Sequence, residues 1–142
     1  MKTVAHVLAK KQSSHNLVDA DTKVNEALAV MKTLDVNYVV VLKNGKYTGI
    51  FTERDYAQKV LMMGKPGELT KVEEVMSSNL PTVSSNDSVQ NCMMLMNAYK
   101  TRYLPVFDAF TFRDVVSMND LVSLSMNKQH EELLSRSSER IF

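Results

Sequence analysis

The chain has 142 residues, 44% apolar and 23% charged, which suits one ordinary soluble domain or two small ones sharing a core. Its formal net charge of +1 leaves no electrostatic footprint for nucleic acid or an anionic membrane, and no run nears the roughly 18 apolar residues of a membrane span. The one cysteine, Cys92, rules out an internal disulfide and, with no second Cys nearby, a thiolate metal site.

The N-terminal residues lack an apolar core of signal-peptide length, so a cytoplasmic location is expected. Residues 3–11 carry Val4, Val7 and Leu8 at helical spacing and predict a short helix. A polar loop follows over residues 12–16, then a very short strand at Leu17-Val18. Val24, Ala27, Leu28, Met31 and Leu34 mark a helix with one buried face, for which Asp21 or Thr22 is the expected cap. Tyr38-Val39-Val40-Val41-Leu42 reads as a strand buried on both faces. Asn44-Gly45 predicts a tight hairpin turn, with residues 47–51 returning as the partner strand and a helix starting after Thr52.

Gly64-Lys65-Pro66-Gly67 breaks the pattern and marks a linker. Beyond it the chain repeats itself. Val72, Val75 and Met76 echo the opening helix, and Pro81-Thr82-Val83 echoes Leu17-Val18. Val89, Cys92, Met93 and Met96 stand 65 residues after Val24, Ala27, Leu28 and Met31. At the same offset of 65, Tyr103, Leu104 and Val106 follow Tyr38, Val39 and Val41, and Val115 and Val116 follow Ile50 and Phe51. A constant offset across two loops is the mark of an internal repeat. The expected division is a first repeat over 1–66, a second over 67–127 and a helical tail over 128–142, into which an apolar stripe of Met126, His130, Leu133 and Leu134 continues the last helix. Each repeat is near the marginal size for independent folding, so the two are expected to pack sheet to sheet over one joint core, with clefts between them.

Each repeat ends in the same polar device. Thr52 and Asp55 stand three residues apart where a strand becomes a helix, and Ser117 and Asp120 occupy the matching places. A helix N-terminus presents unpaired N–H groups to an anion. A hydroxyl there can donate to a phosphate, and an ionised carboxylate one turn in can accept both hydroxyls of a ribose. Apolar walls from Tyr38-Val39 or Tyr103-Leu104 would sandwich a base. The same spacing is also close to a capping box, which closes a helix end and binds nothing. Both readings stand at this level.

The paired units resemble a CBS-domain pair, or Bateman module, of the small stand-alone type. The resemblance rests on Gly49-Ile50-Phe51-Thr52-Glu53-Arg54-Asp55-Tyr56, Val72-Glu73-Glu74-Val75-Met76-Ser77, Arg102-Tyr103-Leu104-Pro105-Val106 and Ser117-Met118-Asn119-Asp120-Leu121-Val122. It implies an α/β fold of tandem β-α-β-β-α repeats about a pseudo-twofold axis, a homodimer, and an adenine nucleotide as regulatory ligand. AMP is the first choice, with ADP, ATP, NADH and S-adenosylmethionine in the same class. Carried over by position, Asp55 and Asp120 match ribose-binding acids, and Thr52 and Ser117 match hydroxyls near the phosphate. Arg54 and Arg102 match basic residues that approach phosphate, and Val18, Asp19, Val83 and Pro105 match positions lining the base pocket. The second repeat departs from the pattern. Asp114 replaces the usual glycine, and the hairpin Asp108-Ala109-Phe110-Thr111-Phe112-Arg113 has no glycine. An acid there would repel phosphate unless Arg113 or Arg102 offset it, so the Asp55 site is the better candidate. Phe110 and Phe112 would alternatively anchor a partner.

Two binding readings follow: a regulatory module that signals adenosine-ligand state to an unidentified regulated protein or its own dimer, and a ligand-free scaffold for dimerisation and protein contacts. Catalysis is not expected. His6, His15 and His130 lack metal spacing, Cys92 falls on a buried helix face, and nothing pairs a base with a nucleophile.

Overall fold

Strand β2, Tyr38–Lys43, is buried at its first four residues on both faces, as its β-branched run requires. The computed structural model describes residues 2–11 and 16–124; the expectations for the loop at 12–15 and for the tail lie outside the described residues. β2 pairs in parallel with β1, Leu17–Asp19, and antiparallel with β3, Lys46–Thr52. The β2–β3 turn is Asn44-Gly45, with φ of 52° and 75°, as Asn-Gly predicts.

The second hairpin, β4 (Tyr103–Asp108) with β5 (Thr111–Ser117), repeats this register at the offset of the sequence repeat. Tyr38 faces Thr52 and Tyr103 faces Ser117; each ladder then slips at the matching place, after Val41 and after Val106. Helices α2 (Val24–Leu34) and α4 (Val89–Tyr99) both end on a left-handed residue, Asp35 and Lys100, each at φ 53°. The expected strand at Pro81-Thr82-Val83 is reduced to one bridging residue: Val83 donates to the Pro105 carbonyl at 3.0 Å and accepts from Phe107 at 2.8 Å. Pro105 has no N–H to donate to the Pro81 carbonyl, the counterpart of the Val40-to-Asn16 bond in the first repeat.

One expectation about a helix start changes. The residue that opens α2 is Lys23, and its side chain makes no capping bond. The first N–H groups of α2 donate instead to backbone carbonyls, Val24 to Thr70 at 2.9 Å and Asn25 to Gly67 at 3.1 Å. The helix after Thr52 keeps α geometry only over Glu53–Asp55 (α3) and then widens over Tyr56–Leu61, where bonds reach back five residues.

The described residues form two compact units, one of residues 16–80 and one of residues 2–11 with 81–124. The sequence repeat and the spatial unit thus group the opening segments differently. Val4 and Val7 of α1 (Val4–Lys10) lie in a core with Val83, Cys92, Met96, Leu104, Val106, Val116 and Leu121. Val72 and Val75, from the short 3-10 turn Val72–Glu74 and its end, lie in the other core with Val24, Ala27, Met31, Val39, Val41 and Phe51. Each unit has its own cluster of buried apolar side chains.

Candidate functional site

The apolar end of β3, Gly49 to Phe51, is buried and delivers Thr52 at 8% exposure to the start of α3. Thr52 is extended, at φ −120° and ψ 167°, so the chain turns into the helix immediately after it. Its hydroxyl accepts from the Asp55 N–H at 3.1 Å and donates to Asp55 Oδ2 at 3.0 Å, while the Thr52 N–H donates to the same oxygen at 3.0 Å. This is a closed capping box built with Asp. The second carboxylate oxygen is also taken. Ser77 Oγ donates to Oδ1 at 2.8 Å, and Lys59 Nζ, one turn along the helix, lies 2.9 Å from it. Asp55 is 5% exposed, and four donors meet the roughly four acceptor positions of its carboxylate.

Ser77 reaches Asp55 because its backbone pairs with the outer edge of β3. Ser77 N–H donates to the Ile50 carbonyl at 2.8 Å, and Ile50 N–H donates to the Ser77 carbonyl at 2.9 Å. Gly49 permits this approach: a Cβ there would stand 2.8 Å from both the Ser77 carbonyl oxygen and Met76 Sδ.

The second junction has the same box. Ser117 N–H donates to Asp120 Oδ2 at 2.9 Å, and Asp120 N–H donates to Ser117 Oγ at 3.1 Å. What closes it from outside differs. Lys11 Nζ, its side chain 11% exposed, lies 3.2 Å from Asp120 Oδ2 and 3.9 Å from Asp114 Oδ1 and donates to the Val115 carbonyl at 2.6 Å. Asp114 Oδ1 accepts from the Val115 N–H at 2.7 Å. Val115 is the repeat partner of Ile50. Two side chains therefore satisfy the backbone groups that Ser77 satisfies at Ile50, and a residue with a side chain is tolerated where the first repeat needs glycine.

The other residues singled out by the sequence scatter. Arg54 and Arg102 are exposed. The cation beside Asp114 is Lys11; Arg113 Nε lies 3.7 Å from Asp108 Oδ2 instead. Val18 and Val83 point into the cores of their own units, Asp19 is exposed at the end of β1, and Pro105 is buried in β4 opposite Val115. Phe110 is fully exposed at its turn, whereas Phe112 stacks edge-on against Phe107 at 5.6 Å. Sequence reasoning missed Ser77 and Lys11 as partners of the two acids, since both contacts join distant parts of the chain and leave no periodic trace.

Both acids thus take donors from outside their own capping boxes. Among the described residues no three His, Cys, Asp or Glu converge as a metal site, and no helix is long and apolar enough to cross a membrane. Cys92 is buried, its thiol pushed up to about 11 by desolvation and then by Asp87. His6 Nδ1 accepts from the Thr3 N–H at 3.0 Å, inside the α1 cap.

Comparison with known proteins gives one family. The CBS domain model matches residues 16–61 and again 72–127. The Arabidopsis thaliana protein "CBS domain-containing protein CBSX3, mitochondrial" is 33% identical over 118 residues, 80% of this chain; the chain spans 57% of that relative's length. The solved structure of a protein with CBS domains from Burkholderia ambifaria MC40-6 is 30% identical, with a TM-score of 0.84 over 90% of this chain and 96% of that one. The CBS domain pair of protein MJ0100, solved in complex with 5′-methylthioadenosine and S-adenosyl-L-methionine, shares the fold at 22% identity and a TM-score of 0.77, over 90% of this chain and 98% of that one.

Proposed function

The chain belongs to the CBS-domain family, as a small tandem pair, and from that premise we propose that it is a regulatory module that binds an adenosine-type ligand and signals its presence to a partner protein or to its own dimer. AMP is the first ligand to test, ahead of ADP, ATP, NADH and S-adenosylmethionine. Asp55 receives the ribose hydroxyls, Thr52 and the first turn of α3 lie toward the phosphate, and Arg54 adds charge. Asp120, Ser117 and Arg102 form the corresponding second site, and the exposed Asp19 borders the base of the first. The reading includes a homodimer, a cytoplasmic site of action and no catalytic step.

One observation carries it. Two buried or half-buried carboxylates recur at the same repeat position, each at a helix start and each held by donors from outside its own box. A cap alone needs only the box. Support for the ligand class comes from the MJ0100 pair and its two bound adenosine compounds. Calorimetry with the five ligands tests it. Saturable heat that Asp55→Ala removes is expected, and silence with all five overturns it.

The second reading is a scaffold that holds a partner without ligand. The full exposure of Phe110 at its turn favours it. It expects an unchanged oligomer in Asp55→Ala and loss of partner binding in Phe110→Ser.

A further inference from the structure

We infer that Ser77 is an affinity-setting latch on Asp55, and that a ligand binds by taking its place. This rests on the adenosine-ligand reading of the Asp55 site.

The two carboxylate oxygens are not equally available. Oδ2 holds the backbone N–H and the hydroxyl of Thr52, and losing those bonds opens the start of α3. Oδ1 holds Ser77 Oγ at 2.8 Å and Lys59 Nζ at 2.9 Å, and neither bond is part of the helix cap. An incoming hydroxyl therefore exchanges at Oδ1. Replacing Ser77 trades one hydroxyl for another and leaves the charge balance intact. Replacing Lys59 would separate an ion pair on a 5% exposed acid. Ser77 is the group that leaves.

Its departure has a mechanical result. Apart from this side-chain bond, Ser77 is tied to β3 by its two backbone bonds to Ile50. The segment that carries it runs on to residue 80, where this compact unit ends. Occupancy of Asp55 is thus reported at the point where the chain leaves the unit. The Asp120 site is held differently: its outside donor is the Lys11 ammonium on Oδ2, so no hydroxyl is in place there to be exchanged.

The test uses the full chain, with AMP and S-adenosylmethionine as probes, in Ser77→Ala and Ser77→Thr. A hydrogen bond to a charged group sets the scale, so Ser77→Ala is expected to bind on the order of tenfold tighter, and Ser77→Thr, which restores the hydroxyl, to return to the wild-type value. Hydrogen exchange at the Ile50 and Ser77 amides is read in parallel and is expected to rise both in ligand-free Ser77→Ala and in the AMP-bound wild type. Equal or weaker binding by Ser77→Ala, with the wild type binding normally, overturns the latch and leaves the adenosine reading standing. Exchange that neither the substitution nor AMP alters overturns the coupling to the segment. Exchange that rises in Ser77→Ala while neither protein binds either probe overturns the adenosine reading and the latch with it.

Discussion

The Ser77 carbonyl oxygen lies where it would stand 2.8 Å from a Cβ on Gly49. Space for a side chain at that position is thus set by a residue 28 places away. Gly49→Ala is expected to push the Ser77 segment off β3 and cost about 1–3 kcal/mol. Urea denaturation measures the loss.

The corresponding position in the second repeat behaves in the opposite sense. Asp114 meets the Val115 N–H and sits beside Lys11, so Asp114→Gly removes a favourable contact. It is expected to destabilise by about 1 kcal/mol, from the lost hydrogen bond and added backbone freedom. Lys11→Met is expected to cost more, about 1–3 kcal/mol, because it strips the donor from the Val115 carbonyl and the cation from Asp120 together. Thermal melts of the two single variants rank them.

The β4–β5 turn holds Ala109 at φ 49° and Phe110 at φ 67°, a left-handed pair without glycine. Such residues cost roughly 1–2 kcal/mol each. Combining Ala109→Asn with Phe110→Gly copies the Asn44-Gly45 turn and is expected to raise stability by about 1–2 kcal/mol. A higher urea midpoint with an unchanged slope is the expected result.

Burial pushes the Cys92 thiol from 9.0 up to about 11 and the Tyr47 hydroxyl from 10.0 up to about 12. Both groups are largely neutral in the folded and unfolded chain at pH well below 9. Above it the unfolded chain releases its protons first, so stability is expected to fall as pH climbs from 9 through the folded values near 11 and 12. Unfolding free energies from pH 8 to 11 check this, and Cys92→Ala is expected to flatten the first part of the decline. The same burial predicts that thiol reagents label Cys92 only as fast as the protein opens.

Much of this was written in the repeat. The offset of 65 placed the hairpins and both capping boxes, because these depend on residues close in sequence. The Asn-Gly turn and the buried run of β2 were equally plain. Less legible was everything that depends on distant chain. Lys23 opens α2 because carbonyls of Gly67 and Thr70 meet its first N–H groups, which no local pattern announces. Asp114 looked like a defect in the second repeat until Lys11, more than 100 residues earlier, stood beside it. The double meaning of Thr52 and Asp55 was also present from the start, since a cap and a sugar-phosphate grip use the same atoms. Geometry shows the cap, and the outside donors Ser77 and Lys59 are what keep the second meaning in play.

Helix α1 gives Val4 and Val7 to a core otherwise built from residues 83–124. During synthesis this helix is made about 100 residues ahead of Leu104 and Val116, against which it settles. Residues 16–80 can close around their own apolar cluster in the meantime. A helix made well before its neighbours must therefore wait for its berth.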